Sequence, residues 1–432
     1  MKVAIAWYGA EGQSNYRYYV DKGDDVTIVT PRIAPQFPIP EGAQAIVQDD
    51  AFEHLDGFDL VVRSASVRPD SLKTNGKIWS ATNEFFAACP APIIGVTGTK
   101  GKGTTCGLIT AILRAAGHTV HLVGNIGTPA LDVLSRVKSE DIVVYELSSF
   151  QLWDLEKAPS IAVILMVEPD HLDVHTSYEE YLWAKAGIVR HADCQTRILC
   201  HPTNPDSARV ANEWRDVCPT PADTYGTDVN DNAYARDGKF YVAHEPICAT
   251  SALRLPGAHN VENACAAISA VWGFDGVNAS AIEAGLASFE GLPHRLKFVR
   301  EVNGVKYYDD SIATTPGSAI AALHAFDSPK IIILGGSDKG ANYQEIVNAC
   351  READARVIAI GQTGEEIAKL CRDAQVDVVR ETGGMDVVVA AAAHEAHEGD
   401  IVILSPASAS FDQYKSYNDR GEQFVAAVGE LW

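Results

Sequence analysis

Short apolar runs, each closed by a glycine-bearing turn and followed by a stretch of helical periodicity, recur along the whole chain. That alternation predicts βαβ units built on parallel sheets. It falls into three blocks, with no self-similar repeat among them. The first, residues 1–88, opens with the strand KVAIAWYG, the turn GAEG and a short helical stretch; strands DVTIVTP and DLVVRSAS follow. The second, 89–291, begins after the Pro-flanked ACPAPI. Its strand PIIGVTG feeds the helix GKGTTCGLITAILRAAG, which ends at a glycine cap, Gly117. Strands TVHLVGN, DIVVYELSS, IAVILMV and TRILC come next, with the helix YEEYLWAKAGIVRHA between the last two. Beyond Ala222 the pattern predicts hairpins over GTDVNDNAYARDGKFYVAH and a helix over LPGAHNVENACAAISAVW. The third block, 292–432, sets strands GVKYYDD, KIIILGG, RVIAIGQ and IVILSPA among helices, including the Ala-rich MDVVVAAAAHEAHEG. The expected fold is α/β with three consecutive domains: an N-terminal Rossmann-like domain, a central P-loop-type domain with a mostly parallel sheet and helices, and a C-terminal Rossmann-like domain. Hinges are expected near 88 and 292.

Composition narrows the class of partner. At 432 residues the chain is too long for a single core. Its formal net charge of −22 argues against nucleic acid and anionic membranes as partners, so an anionic ligand needs a local island of Lys and Arg. Nine cysteines stand singly, with no C-x-x-C pair, which disfavours a disulfide framework or zinc ribbon and suits a reducing cytoplasm. The opening MKVAIAWYGAEG has one lysine and an apolar run too short for a signal peptide, and no stretch reaches the length of a membrane span. A cytoplasmic location is expected.

In open parallel sheets ligands gather at the carboxyl ends of strands, so polar residues placed there are the candidates. GVTGTKGKGTT, residues 95–105, has Gly101-Lys102 where a phosphate loop needs them. It departs from the usual pattern at Val96, where the first glycine belongs, and at Gly103, where a hydroxyl normally meets magnesium. Gly98, Gly101 and Gly103 let the backbone curl so that N–H groups from Thr99, Lys100, Thr104 and Thr105 and the helix dipole can face phosphates. Lys102 supplies the point charge, and Thr104 is the nearest hydroxyl able to replace the one missing at Gly103. Glu146, ending the strand two along, suits a magnesium ligand; His171, in EPDHLD after IAVILMV, is a similar strand-end group. Lys185 reads, from sequence alone, as a surface lysine with a snorkelling stem. Gly9 and Gly12 form a G-x-x-G turn suited to a nucleotide diphosphate. In the third block Asp309-Asp310, Lys339 and SPASASFDQY each follow a strand and suit a ribose or an anionic substrate.

These motifs, in this order, resemble the Mur ligase family of peptidoglycan synthesis, most closely its D-glutamate-adding branch. The resemblance spans nearly the whole chain and rests on GVTGTKGKGTT, VGNIGTPAL, YELSSFQL, PDHLDVH with YLWAKAGI, LPGAHNVENACAA, GLPHR, YDDSIATTP, IILGGSDKGA and LSPASASFDQYKSYNDRGEQF. It implies an ATP- and Mg²⁺-dependent enzyme that phosphorylates the carboxylate of UDP-N-acetylmuramoyl-L-alanine and lets D-glutamate displace the phosphate. Its partners would be these small molecules, with no nucleic acid or membrane, and it would act as a monomer. Carried over by position, Lys102 and its loop hold ATP phosphates, and Glu146 and His171 hold magnesium. Lys185 falls on the lysine that becomes carbamylated in the family, which reverses the surface reading. Asn125 and Ser148 fall on muramoyl-substrate contacts. Asn260, Asn263, Arg295 and Asp310 fall on the adenine-nucleotide site. Thr314, Lys339, Ser410 and Phe411 fall where D-glutamate binds, and Gly9, Gly12 and Arg32 on the uridine diphosphate.

Three departures stand out. Gly103 replaces the usual hydroxyl residue, so that either Thr104 reaches the metal or Glu146 and water serve without it. Ile312 stands where many members have lysine, and Ser64-Ala65-Ser66 replace a Ser-Pro-Gly turn. A folylpolyglutamate-synthase-like or other glutamate ligase shares the Gly-Lys-Gly-Thr loop, but it does not need the first block. A nucleotide-binding sensor without ligase chemistry does not need the strand-end groups of the third.

Overall fold

A computed structural model describes residues 1–125, 128–213, 221–255, 257–338 and 340–432. The chain forms two compact units, Met1–Glu290 and Gly291–Trp432.

The first unit contains two sheets. One is five-stranded and parallel throughout, in the order Gln44–Val47, Asp25–Thr30, Lys2–Ala6, Leu60–Arg63, Lys77–Ser80. Strand order reverses on either side of Lys2–Ala6, so the turn leaving that strand opens on a crevice, the place where such sheets bind ligands. The other sheet has nine strands. At its centre Ile93–Thr97 lies between Ile142–Glu146 and Ile161–Ile164, and all three are buried along their length. Near-continuous Val and Ile is what a parallel strand covered on both faces requires. Val120–Gly124 closes one edge; Arg197–Cys200 and Asp223–Gly226 extend the other, before the meander Ala233–Arg236, Lys239–Val242 and Glu245–Ala249. The first turn of that meander places Asp237 and Gly238 at φ 48° and 74°, the left-handed pair of a tight hairpin.

The helix Lys102–Ala115 packs beneath the central strands with Ala258–Val271 and Ala279–Ser288. It ends as the pattern predicts: Gly117 sits at φ 94°, and the amides of Gly117 and His118 bond back to Arg114 O and Leu113 O.

The second unit is one six-stranded sheet, ordered Lys297–Val302, Val305–Asp309, Ile401–Leu404, Lys330–Gly335, Arg356–Ile360, Val378–Arg380. Only its first pair is antiparallel.

Two elements differ from the sequence reading. The helix expected over YEEYLWAKAGIVRHA is two pieces, Tyr178–Lys185 and Gly187–Arg190. At the junction the backbone of Gly187 packs so closely on Leu152 that a Cβ would lie 2.0 Å from its carbonyl oxygen. The strand Lys297–Val302 was not anticipated, although Asn303-Gly304 after it, at φ 52° and 75°, is a strong hairpin signal. Among the described residues no helix is long and apolar enough to cross a membrane.

Candidate active site

The phosphate loop grows out of the central strand. Thr97 anchors its end through Oγ1 to Leu147 O at 3.0 Å. Gly98 lies at φ 149° with its α-carbon so close to Leu165 that a Cβ would be 2.7 Å from that side chain. Gly101 caps the helix at φ 84°, and a Cβ there would lie 2.4 Å from Asn263 Oδ1. No other residue type fits either position without displacement. Between them Thr99 is pinned, its amide to Met166 O at 2.8 Å and its hydroxyl to Glu168 O and Tyr181 Oη. Lys100 points outward, 3.5 Å from the exposed Glu168 carboxylate. Gly103 is buried in the first helical turn, Thr104 is half-buried, and Thr105 is fully buried with Oγ1 3.4 Å from Asn263.

Two lysines converge on this loop. Lys102 Nζ donates to Gly98 O and Thr99 O, both at 3.0 Å. Lys185 Nζ donates to the same Gly98 carbonyl at 2.8 Å and lies 4.6 Å from the centre of the Tyr181 ring. The surface position read from sequence alone for Lys185 is therefore corrected: it is only 1% exposed. Helix Tyr178–Lys185 runs under the loop, and the side chains one turn apart, Tyr181 and Lys185, face it together. Burial, and then the nearby charge of Lys102, hold the Lys185 ammonium well below its ordinary pKa. Its burial favours the uncharged amine over the ammonium.

Glu146 ends the neighbouring strand, 3% exposed. Its Oε1 accepts from Asn125 Nδ2 at 3.2 Å, while Oε2 is buried with no hydrogen-bond partner. A buried carboxylate oxygen left unpaired is costly, and a cation offsets that cost. Cys106, fully buried, reports the neighbourhood: its thiol is pushed up by burial and by the Glu146 carboxylate and drawn down by Lys102. Ser148 caps the short helix Ser149–Leu152 in a reciprocal box with Gln151. His171 lies on an exposed turn at φ 53°, its ring 5.0 Å from Phe150 and its Nε2 3.6 Å from Asp170. Among the described residues no three His, Cys, Asp or Glu side chains group to hold a metal on their own. One buried carboxylate beside a phosphate loop is nonetheless a suitable donor set for Mg²⁺, which binds through one or two carboxylates plus phosphate and water oxygens.

Asn260 and Asn263 lie one turn apart near the start of helix Ala258–Val271, and Asn263 Nδ2 bonds Asn260 Oδ1 at 3.3 Å. The helix thereby brings Asn263 against the phosphate loop, with Asn260 bonded behind it. In the first sheet Gly9 caps helix Ala10–Asp21, and Gly12 approaches the chain so closely that a Cβ would be 2.4 Å from Trp7 O. Arg32 is exposed, with its guanidinium 5.8 Å from the Trp7 ring.

The second unit gathers the ends of three strands. Asp310 is buried, accepting from Ser405 Oγ at 2.7 Å and Leu296 N at 3.0 Å. Burial raises its carboxyl to about 7, against the opposing pull of those bonds and of exposed Arg295. Thr314 is half-buried just ahead of Thr315, which caps helix Pro316–Leu323. Ser410 is buried, its carbonyl accepting from Tyr414 N at 2.8 Å, and Phe411 is 56% exposed. Arg420, fully buried, organises this turn: it donates to Ser408 O, Ser311 O and Ser311 Oγ at 2.8 to 3.1 Å, and burial lowers its pKa to about 10. Lys339 lies outside the described residues.

Sequence reasoning missed Arg420, Tyr181 and the bond by which Asn125 holds Glu146. Tyr181 alone had a signal, its spacing one helical turn before Lys185.

A curled glycine loop between a central parallel strand and a helix, with two inward lysines and a buried strand-end carboxylate, defines a phosphate-binding nucleotide protein. Comparison with known proteins takes this further. Residues 96–271 match the Mur ligase middle domain and residues 294–408 the Mur ligase glutamate ligase domain. A UDP-N-acetylmuramoylalanine–D-glutamate ligase of Acetivibrio thermocellus is 38% identical over 400 residues, 88% of this chain and 84% of that protein. The chain belongs to the Mur ligase family. Its fold is shared with a UDP-N-acetylmuramate–alanine ligase from Thermotoga maritima (TM-score 0.61, 17% identity, 99% of each chain). A MurF ligase of the same organism, in complex with ADP, is also similar (TM-score 0.55, 16% identity, 99% of this chain and 95% of that one).

Proposed function

We propose that this protein is an ATP-dependent, ADP-forming ligase that joins D-glutamate to UDP-N-acetylmuramoyl-L-alanine in cytoplasmic peptidoglycan precursor synthesis, working as a monomer. Family membership and the D-glutamate ligase relative support the substrate pair. The observation that carries the chemistry is the convergence of Lys102 and Lys185 on Gly98 O, beside a carboxylate with one buried oxygen unpaired. In this reading residues 1–88 bind the uridine diphosphate through Gly9, Gly12 and Arg32. Residues 89–291 bind ATP and the muramoyl carboxylate, and 292–432 bind the incoming amino acid.

A free carboxylate is a poor electrophile. Transfer of the γ-phosphoryl group to it makes an acyl phosphate; the amine of D-glutamate then attacks the carbonyl carbon. The tetrahedral adduct collapses with formation of the C–N bond, cleavage of the C–O bond and loss of phosphate. Little covalent work falls to the protein, whose task is positioning and charge neutralisation. Lys102 and the amides of the loop hold the phosphates. Asn260, Asn263, Arg295 and Asp310 serve the nucleotide; Asn125 and Ser148 face the muramoyl side; Thr314, Lys339, Ser410 and Phe411 face D-glutamate. Magnesium, when bound, neutralises the phosphate oxygens and polarises phosphorus. Glu146, His171 and either Thr104 or water would hold it. Lys185 in its unprotonated form can add through Nζ to carbon dioxide and lose a proton, giving a carbamate that supplies one further anionic oxygen.

Phosphate release from ATP tests the reading. It should require UDP-N-acetylmuramoyl-L-alanine and D-glutamate together. Release that proceeds without either, or with a folate acceptor in place of the muramoyl one, overturns it.

A further inference from the structure

The turn after strand Leu60–Arg63 lacks a Ser-Pro-Gly sequence; Ser64-Ala65-Ser66 stand there, bracketed by two arginines. Arg63 is completely buried. It grips Asp154 with two parallel bonds, Nε to Oδ2 at 2.7 Å and Nη2 to Oδ1 at 2.5 Å. It also donates to Phe150 O at 2.9 Å and, on its own side, to Val67 O at 3.1 Å. Arg68 reaches a different loop. It donates to Val174 O at 2.9 Å and to Glu180 Oε1 at 2.7 Å, pairs with Asp70, and stacks 4.9 Å over the Trp153 ring.

Phe150 belongs to the helix that follows Glu146 and Ser148, and Asp154 lies just beyond it. Val174 and Glu180 lie between His171 and Lys185. Each segment is short, and its own bonds, the Ser148–Gln151 box in one and the His171 O bonds to Val174 N and His175 N in the other, are few. The helix Ser149–Leu152 is a single turn, too short to be stable by itself, and His171 is in a left-handed conformation on an exposed turn. The two segments also lean on each other: the Phe150 ring stacks on His175 at 5.3 Å, and Ser149 Oγ is 3.0 Å from His175 Nε2.

We infer that Arg63 and Arg68 are positioning residues that fix, from the first sheet, the two loops carrying Glu146–Ser148 and His171. The roles of those loops rest on the reading given above. A guanidinium buried without solvent must have every donor matched, so moving Asp154 or Phe150 O away from Arg63 leaves a buried charge unpaired and is opposed. This turn, bonded to the Gly9–Gly12 segment through Ser64 Oγ to Trp7 O and Ala65 N to Glu11 Oε2, is thus joined by side-chain bonds to both strand ends of the proposed phosphoryl-transfer site.

Hydrogen exchange of the ligand-free, full-length protein tests the clamp directly. Arg63→Met should lose about tenfold protection over residues 148–156, and Arg68→Met about as much over 171–180, with the central strand 93–97 unchanged. Arg63→Lys, which keeps the charge and loses the two-pronged grip, should resemble Arg63→Met. The Mg²⁺ concentration for half-maximal turnover should rise several-fold in each variant. If Arg63→Met does not fold, Arg63→Lys and the more accessible Arg68→Met carry the test. Wild-type exchange in both loops of folded variants, or an Arg63→Lys indistinguishable from wild type, overturns the inference. Loss of the substrate requirement in the phosphate-release assay would sink the functional reading and leave the exchange result standing.

Discussion

Gly101→Ala perturbs the phosphate loop at one atom, and its effect can be worked from the structure. The residue sits at φ 84°, so any L-amino acid there incurs about 1–2 kcal/mol of left-handed strain. The new Cβ would also lie 2.4 Å from Asn263 Oδ1, a contact real side chains do not make. Asn263 must swing away and give up its bond to Asn260 at 3.3 Å, about 0.5–1.5 kcal/mol more. The sum is roughly 1.5–3.5 kcal/mol of destabilisation. Two causes are mixed in that figure, and a double-mutant cycle separates them. In an Asn263→Ala background that clash is gone, leaving the backbone strain and a 3.3 Å approach to Leu165, so Gly101→Ala should cost about 1 kcal/mol less than in wild type. Urea unfolding of the four full-length proteins measures the difference. Additivity within about 0.5 kcal/mol would show that Asn263 does not press on the loop, and the steric account would be refuted.

Lys185→Ala should lose most phosphate release yet recover part of it with added short carboxylic acids, which restore an anionic oxygen; no rescue across a range of acids counts against a carbamate. Asp310 gives a pH prediction. Its folded pKa of about 7 exceeds the unfolded value of about 3.9, so the native state keeps a proton the unfolded chain has lost. Its contribution to stability is present below about pH 4 and is lost as pH rises toward 7, by roughly 1.4 kcal/mol per unit. Asp310→Asn should therefore gain stability relative to wild type as pH rises from about 4 to about 7 and hold that gain above, and a pH-independent difference between the two proteins would refute the burial of this carboxyl as the cause.

Much of the site was legible because its chemistry is local. Gly98, Gly101 and Lys102 follow an apolar strand and begin a helix, and strand, turn and helix together leave few other geometries. Glu146 and Asp310 were readable as strand ends for the same reason. Lys185 was not: helix Tyr178–Lys185 has charged residues on most sides, and nothing in its pattern reveals that one lysine turns inward under a loop some ninety positions earlier in the chain. The guanidinium of Arg420, which meets carbonyls of the Ser405–Ser410 turn, was hidden similarly. Long-range polar bonds of this kind leave no periodicity. The division of the Tyr178 helix at Ala186 was equally silent, as was the close approach of Gly187 to the Leu152 carbonyl on another segment.

The burial that favours the uncharged form of Lys185 has a chemical cost as well as a use. An amine whose ammonium form is disfavoured attacks electrophiles more readily, and carbon dioxide is not the only small one. Cyanate, which forms slowly in urea solutions, is of similar size and would add to the same nitrogen. The adduct is a urea: neutral, permanent and without the anionic oxygen a carbamate offers. The feature that equips this lysine for a reversible modification thus leaves it open to an irreversible one. Cyanate added without denaturant should inactivate the protein, with the loss of activity tracking carbamoylation of the peptide that contains Lys185 rather than that of the exposed amines.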